Sequence, residues 1–188
     1  MQKIKPQTEQ TKTALAILKY GNPLLRKKVK DVLDFEHLPE FVEKMFITMR
    51  NEGGIGLAAN QVGKSINLIV IDTSNTEGEE VNDANTFINS KIIRTEGSVT
   101  IEEGCLSIPD IRAEIKRPEI ITLQYQDLNQ NVHEKDFSGL VSRVIQHEMD
   151  HLLGRLFVDY LSPSKRILIH KRLLEISKNG KPSTGIIL

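Results

Sequence analysis

Cysteine occurs once in the 188 residues, at Cys105, so no disulfide can form within the chain. That usage suits a reducing compartment. An excess of either charge is missing too: 25 Lys plus Arg balance 25 Asp plus Glu, a formal net charge of zero. A neutral chain is poorly matched to a nucleic-acid backbone or an anionic membrane as its main partner. No run of about 18 apolar residues is present to span a bilayer. The opening stretch Met1–Thr13 is polar, contains Lys3, Lys5 and Lys12, and lacks the apolar core of a signal peptide. These absences set a soluble cytoplasmic protein as the expectation, with no membrane partner and no direct nucleic-acid specificity.

What remains is ordinary globular material, 39% hydrophobic and 27% charged. A chain of this length buries roughly 70% of its unfolded surface, enough to hold a site rigidly without staples. It has no internal repeat and no linker, so one domain over residues 1–188 is expected. Met1–Thr13 reads as a mobile leader and residues 178–188 as a loose tail.

Apolar spacing predicts a first helix over Leu38–Asn51, with Pro39 in its first turn and Gly53-Gly54 stopping it. Pro23 opens a shorter one through Leu24, Leu25 and Val29. Strands are predicted at Asn67–Asp72, Phe87–Ile93, Ser98–Ile101, Ile120–Gln126 and Val132–Phe137, with Asp127–Asn131 as a hairpin turn. Asp72–Ala84 is acidic and reads as a surface loop. A second helix covers about Leu140–Leu153 and ends at Gly154. A third is capped by Ser162 with Pro163 at its first position, and runs to about Ser177. Strands not separated by regular helices point to an α+β fold with antiparallel sheets.

The second helix carries Gln146-His147-Glu148-Met149-Asp150-His151, an HExxH pentad. Four residues advance a helix by about 400°, so His147 and His151 share a face, one turn apart. Two imidazoles so placed can bind one metal ion at about 2.0–2.1 Å each. Glu148 lies about 100° round from His147 and borders the ion without ligating it. That is the place of a general base acting on a water the ion acidifies.

A catalytic site of this kind takes a third protein ligand. The extended pattern HExxHxxGxxH finds Gly154 but has Phe157 where its last His belongs. A Glu from a later helix is available at Glu175. Cys105 is the remaining candidate, as a ligand or, with a His as base, as a nucleophile. Gly104 before it permits close backbone approach and Pro109 fixes the chain soon after. A thiolate beside a divalent cation would be deprotonated outright.

Three segments in order resemble the motifs of the peptide deformylase family, which removes the formyl group from new bacterial polypeptides. They are Gly54-Ile55-Gly56-Leu57-Ala58-Ala59-Asn60-Gln61, then Glu103-Gly104-Cys105-Leu106-Ser107, then the pentad. The similarity runs from about Ile17 to Asp159. It implies antiparallel sheets packed around a central helix carrying the pentad, with N-terminal helices and a C-terminal helix. It implies Cys105 as third ligand beside His147 and His151, Glu148 as base and then acid, and Gln61 with the Leu106 backbone N–H as oxyanion donors. Substrate would lie along Gly54 and Gly56 as an added strand. Ile55, Gly56, Glu103, Gly104, Val144 and His147 would wall a pocket for an unbranched methionine side chain, with Arg112 near its entrance.

The ion implied is iron(II) in the cell, with zinc, nickel or cobalt able to take its place. The implied partners are N-formyl-Met nascent polypeptides and, transiently, the ribosome, through the basic third helix (Lys165, Arg166, Lys171, Arg172). That helix also reads as a solvated face over an apolar inner side. His37, His133 and His170 lie outside every motif and read as surface residues. Asn60 fills a position the family leaves variable and, like the acidic loop near Glu77–Asp83, is not expected to touch the chemistry.

Overall fold

The computed structural model describes residues 14–74 and 84–179. The expected leader, most of the acidic loop and the end of the expected tail lie outside the described residues. The first helix, α1 (Leu38–Asn51), has the bounds its spacing predicts, with Val42, Met45 and Met49 buried. Gly53, at φ 69°, turns the chain out of it. The stretch opened by Pro23 is a single 3-10 turn, Pro23–Arg26, and does not reach Val29.

Five strands make one antiparallel sheet in the order β1, β2, β3, β6, β7. They are β1 (Gly56–Ala58), β2 (Leu68–Asp72), β3 (Ala84–Glu96), β6 (Ile120–Gln126) and β7 (Val132–Phe137). Every residue of β2 is buried. Leu68 and Val70 join the cluster built on α1, whereas Ile69 and Ile71 join the one built on the second helix, α2 (Gly139–Leu152). A strand covered on both faces reads as an unbroken apolar run, as Asn67–Asp72 does. β1 stands at the sheet's edge, paired only with β2 among the described strands.

β4 (Val99–Cys105) and β5 (Ile108–Arg117) form a separate antiparallel hairpin joined by Leu106 and Ser107. β5 was not anticipated, because Pro109 and the charges at Asp110, Arg112, Glu114 and Lys116 mask it. Its apolar side is nonetheless periodic. Ile111, Ala113 and Ile115 pack with Leu156, Phe157, Leu173 and Ile176, the last two from α3 (Pro163–Asn179). Ser162 caps α3 as expected, its Oγ accepting from Lys165 N at 3.4 Å. The helix continues two residues beyond Ser177 into the expected tail. Two of its basic residues are ion-paired, Arg166 to Asp159 and Arg172 to Asp110 and Glu175.

α2 is the central helix, and nearly all of it is buried, polar residues included. Its end is fixed by Gly154, at φ 74°, where a Cβ would stand 2.6 Å from the Arg26 carbonyl oxygen. The α+β arrangement of antiparallel sheets around this helix is the one expected. No helix among the described residues is long and apolar enough to cross a membrane.

Candidate metal centre

Buried polar groups must find partners, so the polar residues of α2 dictate what surrounds it. Arg143 donates to Glu103 Oε1 at 2.8 Å and to the carbonyls of Ile115 and Val99. Gln146 donates to the Pro118 carbonyl. Asp150 receives Arg117 at 2.6 Å and the Tyr160 hydroxyl at 2.9 Å. These bonds dock the β4–β5 hairpin along the helix and bring the end of β4, with Cys105, against the pentad.

There the donor atoms of Cys105, His147 and His151 lie within 4.8 Å of one another, all three residues buried. Cys105 Sγ is 3.1 Å from His151 Nε2. Ligands sharing one tetrahedral ion stand about 3.4–3.6 Å apart, given bond lengths of 2.0–2.3 Å. The atoms are therefore gathered on the scale a single ion needs. His147 Nδ1–H donates to Glu103 Oε2 at 2.9 Å, which leaves Nε2 as its lone-pair atom. Burial opposes charge on His147, but its hydrogen bonds to Cys105 and Glu103 hold its pKa well above the usual histidine value. Burial and the neighbouring His147 pull His151 well below that value. Soft thiolate and two imidazoles suit a divalent transition metal.

Glu103 anchors the arrangement. Burial works against its charge, yet His147 and Arg117 hold its carboxyl far below the ordinary range. Arg117 reaches both of its oxygens, at 2.6 and 3.0 Å. With Arg143 and His147 also bound, both carboxylate oxygens are engaged, Oε2 of them by the ligand His147.

Glu148 is buried beside this cluster, and burial pushes its pKa up to about 7. Its Oε2 has no hydrogen-bond partner. Its Oε1 sits where a Cβ on Gly56 would approach to 2.7 Å, and Val144 Cγ1 would be closer still, at 2.5 Å. Gly56 is thus required by the packing of the expected base. Gln61 is held by its own oxygen, which accepts from Ala58 N at 2.7 Å. This assigns the amide orientation and turns Nε2 toward the sulfur, 3.8 Å from Cys105 Sγ and 3.2 Å from Ser107 Oγ.

The structure thus gathers Cys105, His147, His151, Glu148, Gln61, Leu106, Gly54, Gly56, Gly104 and Val144. A Cβ on Gly54 would meet Leu106 Cδ1 at 2.7 Å, so the two loops touch across the site. Ile55 is partly exposed between these glycines. Arg112 is on the exposed face of β5, 3.6 Å from Glu102. Glu175 pairs with Arg172 on α3 and is not in the metal-capable group. Phe157, at the position of the missing third His, is buried with its ring 6.1 Å from that of His147. His37, His133 and His170 are exposed.

Four supporting residues, Arg117, Arg143, Asp150 and Tyr160, were not singled out from sequence, and no local pattern marks them. Asn60 was set aside and is in fact buried, its Nδ2 donating to the His151 carbonyl at 2.6 Å.

The family model described as polypeptide deformylase matches residues 14–167. The chain belongs to the peptide deformylase family. The peptide deformylase of Christiangramia forsetii is 43% identical over 176 residues, covering 87% of this chain and 90% of the relative. That of Chlorobium phaeobacteroides is 44% identical over 165 residues, covering 87% and 89%. Among solved structures, the Thermus thermophilus peptide deformylase superposes with a TM-score of 0.82 at 36% identity, covering 88% of this chain and 99% of that one. The Legionella pneumophila peptide deformylase gives 0.80 at 36% identity, covering 90% and 100%. The match extends through every element that builds the centre.

Proposed function

We propose that this deformylase hydrolyses the N-formyl group from the N-terminal formylmethionine of newly synthesised proteins, releasing formate. The observation that carries the reading is the convergence of Cys105, His147 and His151 on one point with Glu148 buried beside it. When bound, a divalent ion held by those three residues supplies Lewis-acid polarisation and lowers the pKa of the attacking water. Glu148 accepts the proton from that water. Its raised pKa matches a base that must also give the proton up near neutrality.

As the formyl carbon becomes tetrahedral, its oxygen gains charge. The Gln61 amide and the Leu106 backbone N–H donate to it, and each such donor typically contributes about 10²–10³ in rate. Glu148 then hands its proton to the leaving amine. The place of β1 at the sheet's edge among the described strands supports an added substrate strand along Gly54–Gly56. Ile55, Gly56, Glu103, Gly104, Val144 and His147 would wall the pocket that receives methionine, with Arg112 near its entrance. The ion in the cell would be iron(II), a reading supported by the family resemblance and by the thiolate–imidazole donor set, with zinc, nickel or cobalt as replacements.

Formate release from formyl-Met-Ala-Ser tests the proposal. Activity should vanish with a chelator and return with added divalent metal. Chelator-insensitive release, or none from metal-loaded protein, would refute it.

A further inference from the structure

Leu106 and Ser107 are the whole connection between β4 and β5, directly after Cys105. In a two-residue hairpin loop the turn carbonyls lie outside the ladder and must be satisfied elsewhere. Here one short segment takes both. Lys19 Nζ donates to the Leu106 carbonyl at 2.9 Å, and Tyr20 N donates to the Ser107 carbonyl at 2.8 Å. The preceding residue reaches the other loop, with Leu18 N donating to the Gln61 carbonyl at 2.7 Å. Three consecutive residues thus join the two loops that present the oxyanion donors.

The Gln61 side chain completes the connection through Ser107 Oγ at 3.2 Å. Of the three consecutive residues, Lys19 makes its bond to the loops through its side chain. It is partly buried, and burial pulls its pKa down while Glu52 and Cys105 pull it up. An ammonium drawn out of solvent to bond a neutral carbonyl gives a charge-assisted hydrogen bond with little freedom to wander.

We infer that Lys19 is a positioning residue for deformylation, locking the Leu106–Ser107 turn against the Gln61 loop so that both donors keep a fixed separation. The inference rests on the reading of Gln61 and Leu106 as oxyanion donors.

The test is steady-state kinetics of metal-loaded enzyme on formyl-Met-Ala-Ser, for Lys19→Met and Lys19→Arg, each alone and combined with Gln61→Ala. Lys19→Met keeps the aliphatic stem and its packing. Because it loosens a donor without removing it, kcat should fall about tenfold, short of a full donor deletion. KM and metal content should hold, the unfolding midpoint should fall only modestly because one carbonyl loses its partner, and Lys19→Arg should recover most of the rate. With Gln61 already truncated, the same substitution should cost less than about threefold, since the two sites act as one unit.

An unchanged kcat in Lys19→Met overturns the inference, as does an equal loss in both backgrounds. A loss confined to KM, or matched by lost metal, does the same. If Lys19→Met does not fold, Lys19→Gln takes its place under the same criteria. Should Gln61→Ala alone leave kcat intact, the oxyanion reading itself fails; a normal Gln61 effect with an inert Lys19 sinks the positioning role alone.

Discussion

Replacing Glu148 with Gln should stabilise the protein while abolishing its chemistry, and the size of the stabilisation can be worked from the site. An ordinary glutamate titrates at 4.5, and burial moves Glu148 to about 7. The sign follows from linkage. A carboxyl whose folded pKa is raised binds its proton more tightly in the folded chain than in the unfolded one. Its neutral form therefore carries no penalty below pH 4.5, and stability is lost as pH climbs through 7, where folding must hold a buried charge. The span from 4.5 to about 7 corresponds to about 3 kcal/mol, since each tenfold in proton affinity is about 1.4 kcal/mol.

Gln is nearly isosteric and never ionises, so Glu148→Gln removes that penalty. The unpartnered Oε2 means that no existing hydrogen bond to that oxygen is sacrificed. Chelator-treated wild type and variant should be unfolded in urea at pH 8 and at pH 4.5. The variant should be more stable by about 2–3 kcal/mol at pH 8, and the difference should close at pH 4.5. With metal bound, the cation's charge offsets the carboxylate's cost, so the gain should shrink. On formyl-Met-Ala-Ser the metal-loaded variant should be nearly inert, with metal content unchanged. Equal or lower stability at pH 8 would show that the Glu148 pocket is not the desolvated site described here, and retained turnover would remove Glu148 from the mechanism.

Three further outcomes follow from the same geometry. Gly56→Ala places a Cβ 2.5 Å from Val144 Cγ1 and 2.7 Å from Glu148 Oε1; overpacking of that kind costs about 1–3 kcal/mol, and thermal unfolding beside kinetics should show a kcat loss larger than the folded fraction explains. Arg117→Met leaves the buried Asp150 without its cationic partner and removes two of the four hydrogen bonds that Glu103 accepts, so a destabilisation of about 3–5 kcal/mol is expected in urea unfolding, with weaker metal retention because the carboxylate that orients His147 is held less firmly. Iron-loaded enzyme should lose activity in air while nickel-loaded enzyme keeps it, because a thiolate beside iron can be oxidised; equal decay of the two forms would contradict this.

The parts of the centre legible in the sequence are those that repeat at short range. The His147–His151 spacing, the α1 stripe and the β6 alternation are each set by a helical or strand period, and the structure keeps the predicted bounds of α1 and β6. β5 escaped because half of its residues are charged: its period of two is intact, but Pro109 and the outward charges resemble a loop. The supporting network escaped for a stronger reason. Glu103 meets Arg117 across 14 positions of sequence and Arg143 across 40, and Asp150 meets Arg117 across 33. Pairings at such separations leave no local trace, and a buried arginine looks like any surface arginine until its partner is placed.

Asn60 shows how this division works within one motif. Its neighbour Gln61 was assigned a role by the motif's resemblance to the family, whereas Asn60 fills a position the family leaves variable and looked incidental. In the fold its amide bonds the carbonyl of His151, 91 positions away, one residue from a proposed donor and on a proposed ligand. Groups that meet the substrate are constrained in kind, so their chemistry is visible in one dimension. Groups that hold them are constrained only in place. Any residue able to donate toward the end of α2 could serve at position 60, so tolerance of substitution there would be consistent with a structural job and would not argue against one.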